Sequence, residues 1–180
     1  EAIDLIREEA PFPAALGRVC THPCETNCTR RNVDESLSIC RLKRFASDEV
    51  ITSGTDTPPI SAESKNKKVA IVGSGPAGLS AAYYLALMGY QPTVFEALPV
   101  AGGMMAVGIR SYRLPKDVLN KEIDFIKSTG VEVKTSTPIG DSLPLEKLAN
   151  QGYEATFIAV GAHKNNPMRV EGEDLEGVLA

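Results

Sequence analysis

The chain has 180 residues, a formal net charge of −4 and 43% hydrophobic residues, enough for one ordinary domain plus a small one. Both signs of charge are interspersed and only 6% of residues are aromatic, which argues against a nucleic-acid surface or a polybasic membrane patch. No apolar run reaches the roughly 18 residues of a membrane helix, and the charged start EAIDLIREEA lacks signal-peptide layout, so the sequence reads as cytoplasmic and not inserted in a membrane.

Taken in order, Ala2 to Glu9 places Ile3 and Ile6 on one side of two helical turns, ended by Pro11 and Pro13. Cys20, Cys24 and Cys28 follow with three residues between neighbours, and Cys40 lies further on. If Pro23 opens a helical turn, Cys24 and Cys28 share one face. Clustered thiols in a chain of this kind favour metal over a disulfide framework. Zinc knuckles favour other spacings, so an iron–sulfur cluster, structural zinc and buried or redox thiols are the three readings. His22 reads as a cap or surface residue. Arg30, Arg31, Arg41, Lys43 and Arg44 fit either a solvated face or a counter-charge for bound thiolates. From Ile39 to Val50 the apolar spacing is helical, with Cys40 near the helix N-terminus. The expected division is 1–51 as a small helical unit, 52–66 as a polar, proline-containing linker and 67–180 as the larger domain.

Val69 to Val72 reads as a buried parallel strand, and Gly73, Gly75 and Gly78 supply the G-x-G-x-x-G spacing that lets a backbone meet a pyrophosphate. The helix from Pro76 to Met88 points its free N–H groups at that site and is stopped by Gly89. Pro92 to Phe95 is the second strand. Glu96 stands at its end, where a carboxylate accepts bonds from ribose hydroxyls and repels a 2′-phosphate. The glycine-containing run from 97 to 115 has no clear period and reads as a loop over the nucleotide. Pro115 to Thr129 is an amphipathic helix closed by Gly130, and VEVKT is a strand. Leu145 to Asn150 is a short helix, and Tyr153 to Gly161 contains a further strand. His163 and Met168 read as packing or surface residues. The fold class is α/β, a Rossmann-like domain with a parallel sheet preceded by a small all-α cysteine domain.

The stretches FPAALGRVCTHPCETNC, VDESLSICRLKRFASD, VAIVGSGPAGLSAA, FEALPVAGGMMAVGI with YRLP, and ATFIAVGA with GEDLEGV together resemble the iron–sulfur and flavin part of the glutamate synthase small subunit family. That family includes the N-terminal region of dihydropyrimidine dehydrogenase. The resemblance implies an oxidoreductase in which NAD(P)H reduces FAD and electrons leave singly through [4Fe-4S] clusters to an acceptor domain or subunit. It implies that Gly73, Ser74, Gly75, Pro76, Ala77 and Gly78 cradle the FAD pyrophosphate and that Glu96 holds the ribose. Gly102, Gly103 and Met104 match the loop along the flavin phosphates, and Arg113 and Ile139 match further cofactor contacts. Cys20, Cys24 and Cys28 match cluster ligands. Lys43 stands where one branch has a glutamine ligand, and an ammonium has no lone pair, so Cys40 is the better fourth candidate. Further cluster cysteines upstream, and a second glycine-motif domain for NAD(P)H after GEDLEGV, belong to the family pattern and are not in this sequence. The expectation is a fragment that binds FAD and a cluster but does not turn over alone. The alternative from another class is a nucleotide-binding interaction module with structural zinc, and the glycines also fit an NAD-dependent dehydrogenase.

Overall fold

A computed structural model of the chain describes residues 1–140, 143–163 and 166–177. Valine, isoleucine and phenylalanine with bounding glycines form four parallel strands: β1 (Lys68–Val72), β2 (Gln91–Phe95), β3 (Glu132–Lys134) and β4 (Tyr153–Ile158), in the order β3-β2-β1-β4. Val72 pairs with Phe95 on one side and Ile158 on the other. The carboxyl ends of β1, β2 and β4 therefore meet at one rim. Strand order reverses between β1 and β4, the position where open α/β sheets bind ligands.

Helices α5 (Pro76–Leu87) and α7 (Lys116–Ser128) share the main core with the sheet, through Ile71, Leu79, Tyr83, Val94, Leu119 and Ile126. On the other sheet face Ala70 and Phe95 meet Leu148 of α8 (Leu145–Asn150). The run after Glu96 is not wholly a loop, since Met104–Val107 make one helical turn, α6.

The N-terminal part comprises α1 (Ala2–Glu9), α2 (Pro13–Val19), α3 (Pro23–Thr26), a 3-10 turn at Thr29–Asn32 and α4 (Ile39–Ser53). Pro13 does not merely end α1; it opens α2, where its missing N–H costs nothing. Gly17 lets α2 cross α4 closely, because a Cβ there would lie 2.7 Å from the Cβ of Arg44. Helix α4 continues two residues past the expected boundary at 51 and closes on Gly54 in the left-handed region. Cys24 and Cys28 do not share a helix face. The N–H of Asn27 returns to Pro23, α3 ends at Thr26, and Cys28 is extended.

These helices pack on the sheet domain. Phe12 and Ala15 belong to the main core. The buried Glu122 of α7 accepts the N–H groups of Ala14 at 2.6 Å and Ala15 at 2.9 Å, the free donors of the first turn of α2. Arg7, also buried, stacks on Phe125 at 3.5 Å and forms a forked pair with Asp56. The connecting segment lies along α5, with Ala62 donating to Leu87 and Lys65 to Gly89, both at 2.8 Å.

Burial pushes the Glu122 carboxyl up to about 7, against the opposing pull of the Ala14 and Ala15 N–H groups, Arg7 and Arg18. A raised carboxyl pKa means that the folded state holds its proton more tightly than the unfolded state. The associated stability is complete below about pH 4.5 and declines as pH rises through 7. Between pH 5 and 8 the wild type should therefore lose about 2–3 kcal/mol relative to Glu122→Gln, measured by urea unfolding at each pH. Parallel pH profiles for the two proteins would contradict this placement of the carboxyl.

Candidate nucleotide site

The chain leaves β1 through Gly73 at φ +104°, so close to β4 that a Cβ would lie 2.4 Å from the carbonyl of Ala159. At Gly78 the added atom would lie 2.0 Å from the carbonyl of Gly73, so only glycine lets α5 begin against the strand. Gly75 differs. Its φ is −66° and nothing stands within 4 Å of an added Cβ. That open space faces a cavity of about 430 Å³ lined by Val72, Gly73, Gly75, Pro76, Ala77 and Glu96, and closed by Gly103, Met104, Ile139 and His163. Helix α5 starts at this wall, and its first N–H groups and dipole favour an anion there.

Glu96, 7% exposed, forms the opposite wall. One carboxylate oxygen accepts the N–H of Leu98 at 2.8 Å, and the other accepts the N–H of Ser74 at 2.8 Å and its hydroxyl. Burial raises this carboxyl, but the Ser74 hydroxyl, the Leu98 and Ser74 N–H groups and the nearby His163 outweigh it and hold it below its usual value. It is an anion at neutral pH. A cradle open at Gly75, a helix N-terminus and a carboxylate across the space suit a phosphate and a sugar hydroxyl.

Of the residues that the sequence points to, Gly73, Gly75, Pro76, Ala77, Glu96, Gly103, Met104 and Ile139 line the cavity. Ser74 is buried behind it and Gly78 supports the turn. Gly102 packs towards Ala106, Leu119 and Ile123, and Arg113 is exposed in the turn before α7. His163, set aside in the sequence, lines the cavity. A larger groove of about 660 Å³ between α1 and α4, lined by Ile3, Ile6, Leu42 and Phe45, carries no glycine turn. Chemistry, not volume, selects the site.

The cysteines are arranged differently. Cys20, Cys24, Cys28 and Cys40 are free thiols, and among the described residues no three Cys, His, Asp or Glu side chains converge as metal ligands. The Cys40 sulfur faces the carbonyls of Leu16 and Gly17, and its N–H donates to Glu25. The Cys20 sulfur accepts the N–H of His22. Backbone N–H groups of Leu37 and then Arg30 hold the Cys28 thiol below its ordinary pKa. A four-thiolate centre does not fit the segment as it stands, and holding one would require 20–40 to rearrange.

The parallel sheet and its glycine rim define a Rossmann-like nucleotide-binding protein with an N-terminal cysteine domain. Residues 71–131 match the NAD(P)-binding Rossmann-like domain, and residues 1–55 match dihydropyrimidine dehydrogenase domain II, 4Fe-4S cluster. Over 176 residues the chain is 53% identical to NADPH-Fe(3+) oxidoreductase subunit beta of Geobacter sulfurreducens, covering 97% of this chain and 26% of that protein. It is 36% identical over 178 residues to the glutamate synthase [NADPH] small chain of Bacillus subtilis, covering 99% of this chain and 36% of the relative. Mycobacterium tuberculosis FprA in complex with NADPH superposes with a TM-score of 0.55 at 24% identity, over 64% of this chain and 27% of that one, a likeness of fold. The chain belongs to the family of glutamate synthase small chains and dihydropyrimidine dehydrogenase-like proteins. It spans about a quarter to a third of the length of these curated relatives.

The glycines separate into structural and ligand-facing positions by what a methyl group would meet. Gly75→Ala should keep thermal stability within about 0.5 kcal/mol of wild type, whereas Gly78→Ala should lose more than roughly 2 kcal/mol or fail to fold. Thermal and urea denaturation of the two variants check this. Equal losses would contradict the assignment of Gly75 to the open wall.

Proposed function

We propose that this chain is the part of an NAD(P)H-linked flavin and iron–sulfur electron-transfer oxidoreductase that holds the adenosine diphosphate half of FAD. The observation that carries it is the cavity between the N-terminus of α5 and Glu96, open at Gly75 and closed by the Gly103 loop. NADPH appears in the names of both curated relatives described above, yet it carries a 2′-phosphate. A buried carboxylate ionised at neutral pH repels such a group across this cavity. The occupant is then a dinucleotide with a free ribose, which FAD and NAD(H) both are, and the Gly103–Met104 loop, which matches the family's loop along the flavin phosphates, favours FAD.

When bound, FAD accepts a hydride equivalent and releases electrons singly. The residues of this chain bind and orient. The first N–H groups of α5 receive the pyrophosphate, Glu96 accepts a ribose hydroxyl, and Met104 and Ile139 give apolar walls. The match of residues 1–55 to a 4Fe-4S domain supports an iron–sulfur role for this segment, in which Cys20, Cys24, Cys28 and Cys40 would hold the cluster once 20–40 rearranges. The division at 1–51 and 67–180 then separates the cluster-binding unit from the flavin-binding one, and the acceptor is a partner domain or subunit in the cytoplasm.

Isothermal titration of the chain with ADP, FAD and 2′,5′-ADP tests the assignment. ADP and FAD should bind comparably, in roughly the micromolar to millimolar range, and 2′,5′-ADP at least about tenfold more weakly. Glu96→Ala should weaken ADP and FAD and narrow the discrimination against the 2′-phosphate. Equal binding of ADP and 2′,5′-ADP by the wild type would contradict the assignment.

A further inference from the structure

We propose that Ser74 is a positioning residue for the adenosine end of the cavity, its hydroxyl claiming one oxygen of Glu96 and leaving the other to the ligand. This rests on reading the cavity as a nucleotide site. Within the glycine motif the residue between Gly73 and Gly75 is formally a spacer, but here it is fully buried and does not line the cavity. Its N–H and its hydroxyl both donate to Oε2 of Glu96, while Leu98 donates to Oε1. An ionised carboxylate offers about four lone-pair positions. Three donors leave a single acceptor position, on Oε1.

The same hydroxyl has a second task. Its oxygen accepts the N–H of Gly102 at 3.1 Å, and the Ser74 carbonyl accepts that N–H at 3.0 Å. One side chain thus joins the glycine turn, the end of β2 and the loop that carries Gly103 over Gly75. A hydroxyl bonded to a carboxylate is stronger than a neutral pair, and in a buried place it fixes the carboxylate rotamer. Two titratable residues stand on neighbouring elements: His163, after β4, lines the same cavity and helps to hold the Glu96 carboxyl low, and the Lys134 ammonium, ending β3, lies 5.6 Å from the Phe95 ring centre and pairs with Glu132 at 3.4 Å. Neither occupies Oε2.

Ser74→Ala removes one oxygen without adding volume, and Ser74→Thr keeps the hydroxyl. Carbon-detected NMR titration of the Glu96 carboxyl, without ligand, should show a higher midpoint in Ser74→Ala and a wild-type midpoint in Ser74→Thr. Calorimetry should show ADP affinity falling roughly three- to tenfold in Ser74→Ala and returning in Ser74→Thr. In a Glu96→Ala background Ser74→Ala should have no further effect, because its influence passes through the carboxylate. An unchanged Glu96 midpoint in folded Ser74→Ala overturns the proposal whatever the nucleotide does. A full Ser74→Ala loss that persists in the Glu96→Ala background overturns it as well. ADP affinity indifferent to Glu96→Ala, with a raised midpoint in Ser74→Ala, would instead refute the nucleotide reading and the ligand half of the proposal.

Discussion

The rim of the cavity depends on three approaches of backbone to backbone that no side chain permits. The helix α5 meets the turn after β1 at Gly78, the turn meets β4 at Gly73, and the loop after β2 meets the turn at Gly103, where a Cβ would sit 2.7 Å from the Cα of Gly75. Once these contacts form, the place and direction of the α5 N-terminus are set to within the slack of van der Waals contact. Everything chemical about the cavity follows from that placement. The helix end aims its unsatisfied donors into the space, the end of β2 delivers Glu96 opposite, and the Gly103 loop shuts one side. Of the three motif glycines, Gly75 is the one left open, with nothing within 4 Å of an added Cβ.

The second constraint joins the cysteine segment to this rim. A buried carboxylate on α7 caps α2, and Arg7 with Asp56 clamps α1 and the connecting segment against Phe125. Both are buried polar contacts that need their partners, since breaking one side leaves an unsatisfied charge or donor. The apolar part of the same junction, Phe12 and Ala15, belongs to the main core. Helix α2, whose C-terminus delivers Cys20, is therefore held in register with the sheet. The position of Cys20 relative to the sheet is thus set by packing between the two parts of the chain.

Much of this was legible in the residues because it is local. The β1, α5 and β2 unit shows itself through a β-branched run, glycines at set offsets and a proline at the first helical position, and Glu96 follows from strand length. Leu145–Asn150 was visible to the residue. What escaped depends on distant partners. Helix α2 is built from small residues whose burial needs Arg44 and Glu122, neither of them near in sequence. Cys28 left the expected helix because the turn at Asn27 closes early. Ser74, expected in the pyrophosphate cradle, lies buried behind the cavity because Glu96 and Gly102 are folded onto it, and His163 reads as a packing residue until β4 is placed beside β1. Within the site, Gly102 and Gly103 are indistinguishable as letters, yet one faces the core and the other the cavity.

In the proposed function the first turn of α5 and the end of β2 together receive the diphosphate and ribose of a nucleotide. Amide chemical-shift mapping of the folded chain during addition of ADP tests this directly. The largest shifts should fall on Gly75, Ala77 and Gly78, with further shifts at Ala97, Leu98 and Gly103, and α1 and α4 should stay unmoved. Shifts gathered instead along the apolar groove between α1 and α4, with the glycine turn silent, would contradict it.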